Sequence, residues 1–425
     1  MKFQVGAFVV LWLWTSLAAG ADWPRFRGPN GSGVAESSSV PLEWSSEKNL
    51  QWRVPLPGSG TSSPIIVGDR VLLTCYTGYG VDVQDPGEPD KLVRHLMAYD
   101  RETGNQLWRT SVAAQGDEDP YQGFITQHGY ASSTPVSDGE RVYVLFGKSG
   151  LYCYDLDGQE VWHQDLGQKS DPARWGDGTS PILVDDLVVV NAAILGNQFI
   201  ALDKVTGEVR WQIEDPSFTN CWSTPTVART DAGTQILFQV PKQVMGIDPS
   251  NGARLWEAES PLDDATCASI VTDGRRAFLM GSRAGHGLGL SLTDGGVDVL
   301  WQKSIRSGID TPLLIDDRLY WQSNGVFMAA DGRTGEYLYR ERLPSDGDAT
   351  TFPNVDYSSP VAVGDKIIVF IRNGESFVIQ AGDEFELLHH NPAFQEDDSA
   401  FSGTPAIGSD DLFVRSANFL YRVTR

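Results

Sequence analysis

Three kinds of side chain in this 425-residue sequence could do chemistry together: carboxylates, cations and large aromatic rings gathered in its longer irregular segments. Asp177, Asp264 and Asp356 each stand four residues before the position that opens a recurring apolar run, so the three carboxylates should occupy equivalent places. Lys148, Lys242, Arg283, Arg372 and Arg415 form a second recurring set, each after the second apolar strand of a repeat. With Arg174, Trp175, Trp222, Arg306 and Tyr357 they would build a pocket with cationic clamps and aromatic platforms, suited to a planar anionic molecule or a peptide segment. The plainer reading is that the aspartates cap turns while the cations are solvated or pair with carboxylates. The three aspartates belong to alternate repeats, which holds them too far apart to share one metal ion.

Other motifs carry less. DLDGQE (155–160) opens like a calcium loop but lacks the Glu at the twelfth position, and it reads as a hairpin turn. GHGLG (285–289) is not followed by the helix that a dinucleotide loop requires. His389 and His390 could bind a metal, yet they lack nearby Cys or carboxylate partners and read as surface residues. Sequence order supports no Ser-His-Asp set.

Two repeated patterns must position these residues. One is a turn followed by an aromatic residue: AYDRETGNQLW (98–108), ALDKVTGEVRW (201–211), GIDPSNGARLW (246–256) and ADGRTGEYLY (330–339), with looser copies ending at Trp162 and Trp301. The other is Ser or Thr before Pro at the head of an apolar run, at Pro64, Pro135, Pro181, Pro225, Pro312, Pro360 and Pro405. Ala268 fills the Pro place in an eighth copy, CASIVTDGRRAFLM. After a first interval of 71 residues the copies follow every 43 to 48, which makes eight units of about four strands.

In each unit strand A follows the Pro, a tight turn leads to strand B, a variable loop to strand C, and the Asp-Gly turn to strand D. Pro cannot donate to a ladder, so strand A is an edge, bordering a central channel. Period-2 alternation gives each sheet apolar faces that need neighbours on both sides. Radial repetition supplies them, and the predicted fold class is all-β: an eight-bladed β-propeller of four-stranded antiparallel blades. Trp52, Trp108, Trp162, Trp211, Trp256 and Trp301 would fill the wedges between blades, each indole N–H finding a backbone acceptor. The last unit lacks a strand D, while the N-terminal region holds an orphan one around Trp52. The ring closes if that strand completes the last blade. Loops D–A and B–C share one face, which holds every long segment and is therefore where function should collect.

Residues 1–21 carry one Lys, an apolar run from Val5 to Leu17 and then small residues, the plan of a secretory signal peptide. The expectation is a single propeller domain over 22–425, exported to the periplasm or outside a bacterial cell, with no transmembrane segment in the mature chain. A net charge of −23 repels phosphate backbones and argues against nucleic acid. Cys75, Cys153, Cys221 and Cys267 are too few and too scattered for a disulfide framework and read as buried free thiols.

The alternating turn and Ser-Ser-Pro motifs resemble the eight-bladed propellers of the quinoprotein (PQQ) alcohol dehydrogenase superfamily. They are most similar to its PQQ-binding-like repeat branch, which includes the outer-membrane assembly scaffold lipoprotein. The segment DWPRFRGPNGSGVA (22–35) is similar to the opening of exported members of that branch. The likeness covers nearly all the mature chain but rests on residues that build blades, so it implies the fold and leaves activity open. For the dehydrogenases it implies PQQ with calcium, an adjacent-cysteine disulfide over the cofactor and a catalytic Asp. This sequence has no Cys-Cys pair and no positions onto which those calcium and catalytic motifs map. The expectation is an exported noncatalytic scaffold that binds a protein or glycan partner on the long-loop face, as a monomer or as a module of a complex. The alternative is a diverged PQQ-dependent dehydrogenase oxidising alcohols or sugars.

Overall fold

The computed structural model describes residues 22–36, 38–262, 265–281, 285–294, 296–305, 307–345 and 357–425. These residues form eight β-sheets, and in each sheet the four repeat strands lie side by side in the order A, B, C, D. Blade three is typical, with strands Ile182–Val184, Leu187–Ala192, Gln198–Asp203 and Val209–Glu214. Its strand B is buried along its whole length, whereas strand D is mostly exposed apart from Trp211. That gradient is what radial sheets impose, because the inner strands have protein on both faces and the outermost has water on one.

The core is a set of wedges between blades. Ile182, Val189 and Ala201 of blade three, for instance, pack on Ile236, Phe238 and Met245 of blade four, and removing such apolar surface from water is the main stabilising term. The tryptophans sit in these wedges. The indole N–H groups of Trp108, Trp162 and Trp211 donate to the Leu156, Lys204 and Pro249 carbonyls of the following blade, at 2.8, 3.2 and 2.7 Å. Trp301 does the same to Gly332, and Trp52 to Arg101 at 3.3 Å. Trp256 is the exception and donates within its own blade, to the Gln235 side chain. Each docking indole lies flat on the turn glycine of the next blade. A Cβ on Gly207, held at φ +76, would stand 2.7 Å from Trp162. In the same turn Asp203 Oδ1 accepts from the Val205 and Thr206 amides, as expected of a turn cap.

Closure follows the predicted route. Leu50–Pro55 pairs antiparallel with Phe419–Thr424, so the last blade takes its strand D from the N-terminal region. His389 occupies the Trp position of blade seven and faces Glu43 at 3.1 Å. Neighbouring Trp44 is buried against Phe370 in the cluster that joins blades seven, eight and one.

Two features differ from the sequence expectation. In blade five strand A is Val271–Thr272, so Ile270 and not Ala268 takes the Pro place. Regular spacing pointed two residues too early, because no Pro marks the place in this blade, where Ile270 stands directly before the strand. The position equivalent to Asp177 is therefore Thr266; Asp264 itself lies outside the described residues. Second, the sheet of blade seven has five strands, because Val34–Ala35 adds in parallel to strand A, Val361–Val363. The segment before it crosses the channel. Trp23 pairs with Ile66 of blade one, and the Pro24 carbonyl accepts from Ser137 of blade two. On the far side the buried Arg27 guanidinium donates to the Thr311, Pro312 and Pro360 carbonyls of blades six and seven.

Candidate functional site

Where each strand A begins, the residue just before the Pro place turns its side chain toward the axis. In every blade it is Ser or Thr, and each backbone amide there donates to the hydroxyl of the next blade. The series runs Ser63 to Thr134, Thr134 to Ser180, Ser180 to Thr224 and Thr224 to Ser269. It continues from Ser269 to Thr311, Ser359, Thr404 and back to Ser63, with all eight bonds between 2.9 and 3.2 Å. The result is a closed girdle of hydroxyls, which secures blade to blade at the innermost radius.

The girdle surrounds a cavity of about 350 Å³ on the D–A side, with Phe26 of the crossing segment also in its lining. That volume lies in the range of small-molecule sites. One wall is aromatic. Trp175 packs between Phe124, 4.7 Å away edge-on, and Trp222, 5.3 Å away. The Trp222 N–H donates to the Gly176 carbonyl at 2.7 Å and is not free for a ligand. Tyr357 lies on another side, with Arg372 over its ring at 5.2 Å.

His128 also lines the cavity, and its tautomer is fixed by its neighbours. Nε2 lies 2.9 Å from the Trp175 carbonyl, which can only accept, so Nε2 carries the hydrogen. Nδ1 therefore accepts from the Ser132 hydroxyl at 2.7 Å. Burial lowers the His128 pKa to about 4, which leaves the ring uncharged at neutral pH. A Ser and a His in hydrogen-bond contact have the parts of a nucleophile and base, but a base with so low a pKa is a weak proton acceptor at neutral pH.

The predicted site residues divide. Trp175, Trp222 and Tyr357 come together around the cavity. Asp177 faces a small polar pocket beside it, together with Arg94, Glu118, Asp119 and Lys148, and burial raises its pKa to about 7. Lys148 is not a clamp on the cavity: its ammonium is buried and donates to the Asp117 carbonyl at 2.6 Å and the Ser170 hydroxyl at 2.8 Å, beside Asp119. Arg415 is buried in blade eight, where it donates to the Thr74 carbonyl at 2.8 Å and to Ser62. Arg174 is exposed and absent from the cavity lining. Arg372 reaches the Gln127 carbonyl at 2.9 Å as well as the Tyr357 ring. Asp264, Arg283, Arg306 and Asp356 lie outside the described residues, as do residues 1–21. Cys75, Cys153, Cys221 and Cys267 are all free thiols, the first three buried, and Cys267 lines the cavity.

Sequence reading missed Phe26, Phe124, His128, Ser132 and the girdle. The girdle had a visible signal, Ser or Thr before every Pro place, but its hydrogen bonds join residues more than forty positions apart.

PQQ is a multiply charged acid and, in the family likeness, is held with calcium. Among the described residues the cavity lining holds no carboxylate, Lys or Arg, and no group of three or more His, Cys, Asp or Glu could hold a metal ion. The described residues do not fit that pair. No helix among them is long and apolar enough to cross a membrane.

An eight-bladed ring of these blades with an axial cavity defines the class: a propeller of the quinoprotein alcohol dehydrogenase-like superfamily. The profile of the family described as outer membrane protein assembly factor BamB matches residues 93–337, and the chain belongs to that family. It is 21% identical to the polyvinylalcohol dehydrogenase of a Pseudomonas sp over 423 residues, which cover 80% of this chain and 59% of that protein. It is 23% identical to the outer membrane protein assembly factor BamB of Moranella endobia (strain PCIT) over 280 residues, 65% of this chain and 62% of that one. The chain therefore spans less than two thirds of the length of either relative. Among solved structures, BamB from Moraxella catarrhalis matches with a TM-score of 0.60 at 13% identity, over 88% of this chain and 97% of that one. Quinohemoprotein alcohol dehydrogenase from Comamonas testosteroni matches with a TM-score of 0.66 at 12% identity, over 96% and 81%. At such identities these matches establish the fold alone.

Proposed function

We propose that this protein is an exported, noncatalytic binding propeller that holds a protein or glycan partner on its D–A and B–C face, with the axial cavity as the recognition point. The observation that carries this reading is the cavity itself: a space with aromatic walls, a continuous hydroxyl girdle and no ionised side chain among the described lining residues. It has the features of a recognition site, and His128, the imidazole among its described lining residues, has a pKa too low to serve as a base poised near neutral pH. Relatives named for outer-membrane assembly support both the scaffold role and the exported location.

The relatives named polyvinylalcohol dehydrogenase favour a second reading, a diverged quinone-dependent dehydrogenase. One experiment separates the two. Purified protein is mixed with PQQ and calcium, bound quinone is sought by its absorbance, and dye-linked oxidation of alcohols and sugars is measured. The binding reading expects neither retained quinone nor turnover. Turnover that vanishes in Trp222→Ala would establish the dehydrogenase and overturn the noncatalytic role.

A further inference from the structure

Resting on the binding role just proposed, we infer that the axial cavity is a saccharide site that takes an uncharged sugar ring, stacked on the Trp175 and Trp222 side and held by the girdle.

The girdle carries this furthest. Each of its hydroxyls accepts one backbone amide, and among the described residues none has a protein acceptor for its own hydrogen. All are at most 7% exposed and line the cavity. Buried polar hydrogens without acceptors are costly, and accepting an amide polarises a hydroxyl into a better donor. The nearby Ser402 hydroxyl, buried on the same wall, also has no partner among the described residues. The cavity therefore offers many more donors than its lining can satisfy. Its natural complement is a ligand rich in oxygen acceptors.

Charge and shape narrow the class. An ionised ligand would lose its hydration to a lining with no opposite charge among the described residues, a cost that hydroxyls alone do not offset. A peptide brings an N–H for nearly every carbonyl and so supplies donors where donors are already in excess. A neutral sugar brings ring and hydroxyl oxygens, no N–H of its own apart from acetamido groups, and an apolar C–H face. Trp175 and Trp222 line the cavity side by side, with the Trp222 N–H already spent on the Gly176 carbonyl, an aromatic surface on which such a face can rest.

The test is titration of the full-length protein, by calorimetry and tryptophan fluorescence, with maltohexaose, cellohexaose, xylohexaose and triacetylchitotriose. An anionic oligogalacturonate and neutral tetrapeptides serve as contrasting probes. The expected result is saturable binding of at least one neutral saccharide, weakened at least tenfold by Trp222→Ala and much less by Trp222→Phe. Thr404→Val should weaken it several-fold, while Thr404→Ser restores it and shows that the hydroxyl, not the fold, is responsible. Failure of all four saccharides at millimolar concentration overturns the inference, as does binding that is indifferent to Trp222. If a neutral peptide binds in a Trp222-dependent way and no saccharide does, the sugar assignment fails while the binding role stands. PQQ-dependent turnover would remove both.

Discussion

Asp177 lines the small polar pocket and His128 the axial cavity, the two spaces sharing Ser132, and burial pushes the pair in ways that oppose each other as pH changes. Asp177 titrates in the fold at about 7, against roughly 4 for an unfolded aspartate. Its contribution is complete below the unfolded value and is lost as pH rises through about 7. His128 titrates in the fold at about 4, against roughly 6.5 unfolded. Its contribution is complete above the unfolded value and is lost as pH falls through about 4. Between pH 4 and 7 the two nearly cancel. Melting curves should therefore show Asp177→Asn losing more thermal stability than the parent protein on acidification from pH 7 to 4, and His128→Gln losing less. Parallel slopes for all three proteins would show that neither group is held as described. At this scale the sequence reading grouped Trp175, Trp222 and Tyr357, and all three line the one cavity. It could not disclose the fate of the cations. Whether Lys148 faces the cavity or pairs with Asp119 is decided by how the 113–130 loop folds back, and no local pattern encodes that.

Strands and turns were far more legible, because their cause is local. The Asp-Gly turn writes its own hairpin, and the aromatic residue after it writes the wedge contact. Gly207 shows what the contact demands. Its φ of +76 already favours glycine, and the Trp162 ring leaves no room for a Cβ. Gly364 has a similar φ of +56 but open space around it. Gly364→Ala should therefore cost about 1 kcal/mol for the backbone alone, and Gly207→Ala about 2 kcal/mol more for the steric overlap. Differential scanning calorimetry of the two variants, with Trp162 emission as a local reporter, tests the difference. Equal effects would mean that the indole does not depend on that close approach. Two element-level features escaped sequence reading for one shared reason. The start of strand A in blade five and the course of 22–35 across the channel are both set by distant partners, Thr224 and Thr311 in one case, blades one, two, six and seven in the other. Arg27 makes the second plain: it reads three carbonyls 284 to 333 positions away.

For the molecule as a whole, counting strands was enough to predict closure, because eight strands A against seven complete blades left one orphan D to be placed. The ring is shut twice over, by Leu50–Pro55 against Phe419–Thr424 and by the Thr404 amide on Ser63. Removing residues 419–425 takes away the partner of Leu50–Pro55 and exposes the Leu412, Phe413 and Val414 wedge. The truncated protein should lose its single cooperative melt, bind hydrophobic dyes and aggregate, as followed by calorimetry and light scattering. An unchanged melt would show that the other seven blades hold the ring unaided.

That shared eighth blade also sets a timetable. While the polypeptide is still being synthesised, strand Leu50–Pro55 has nowhere to go, and about 360 residues must follow before its mate Phe419–Thr424 arrives. Early blades can form in order, but the wheel stays unlatched until the tail is free, so the final locking step is intrinsically late and slow.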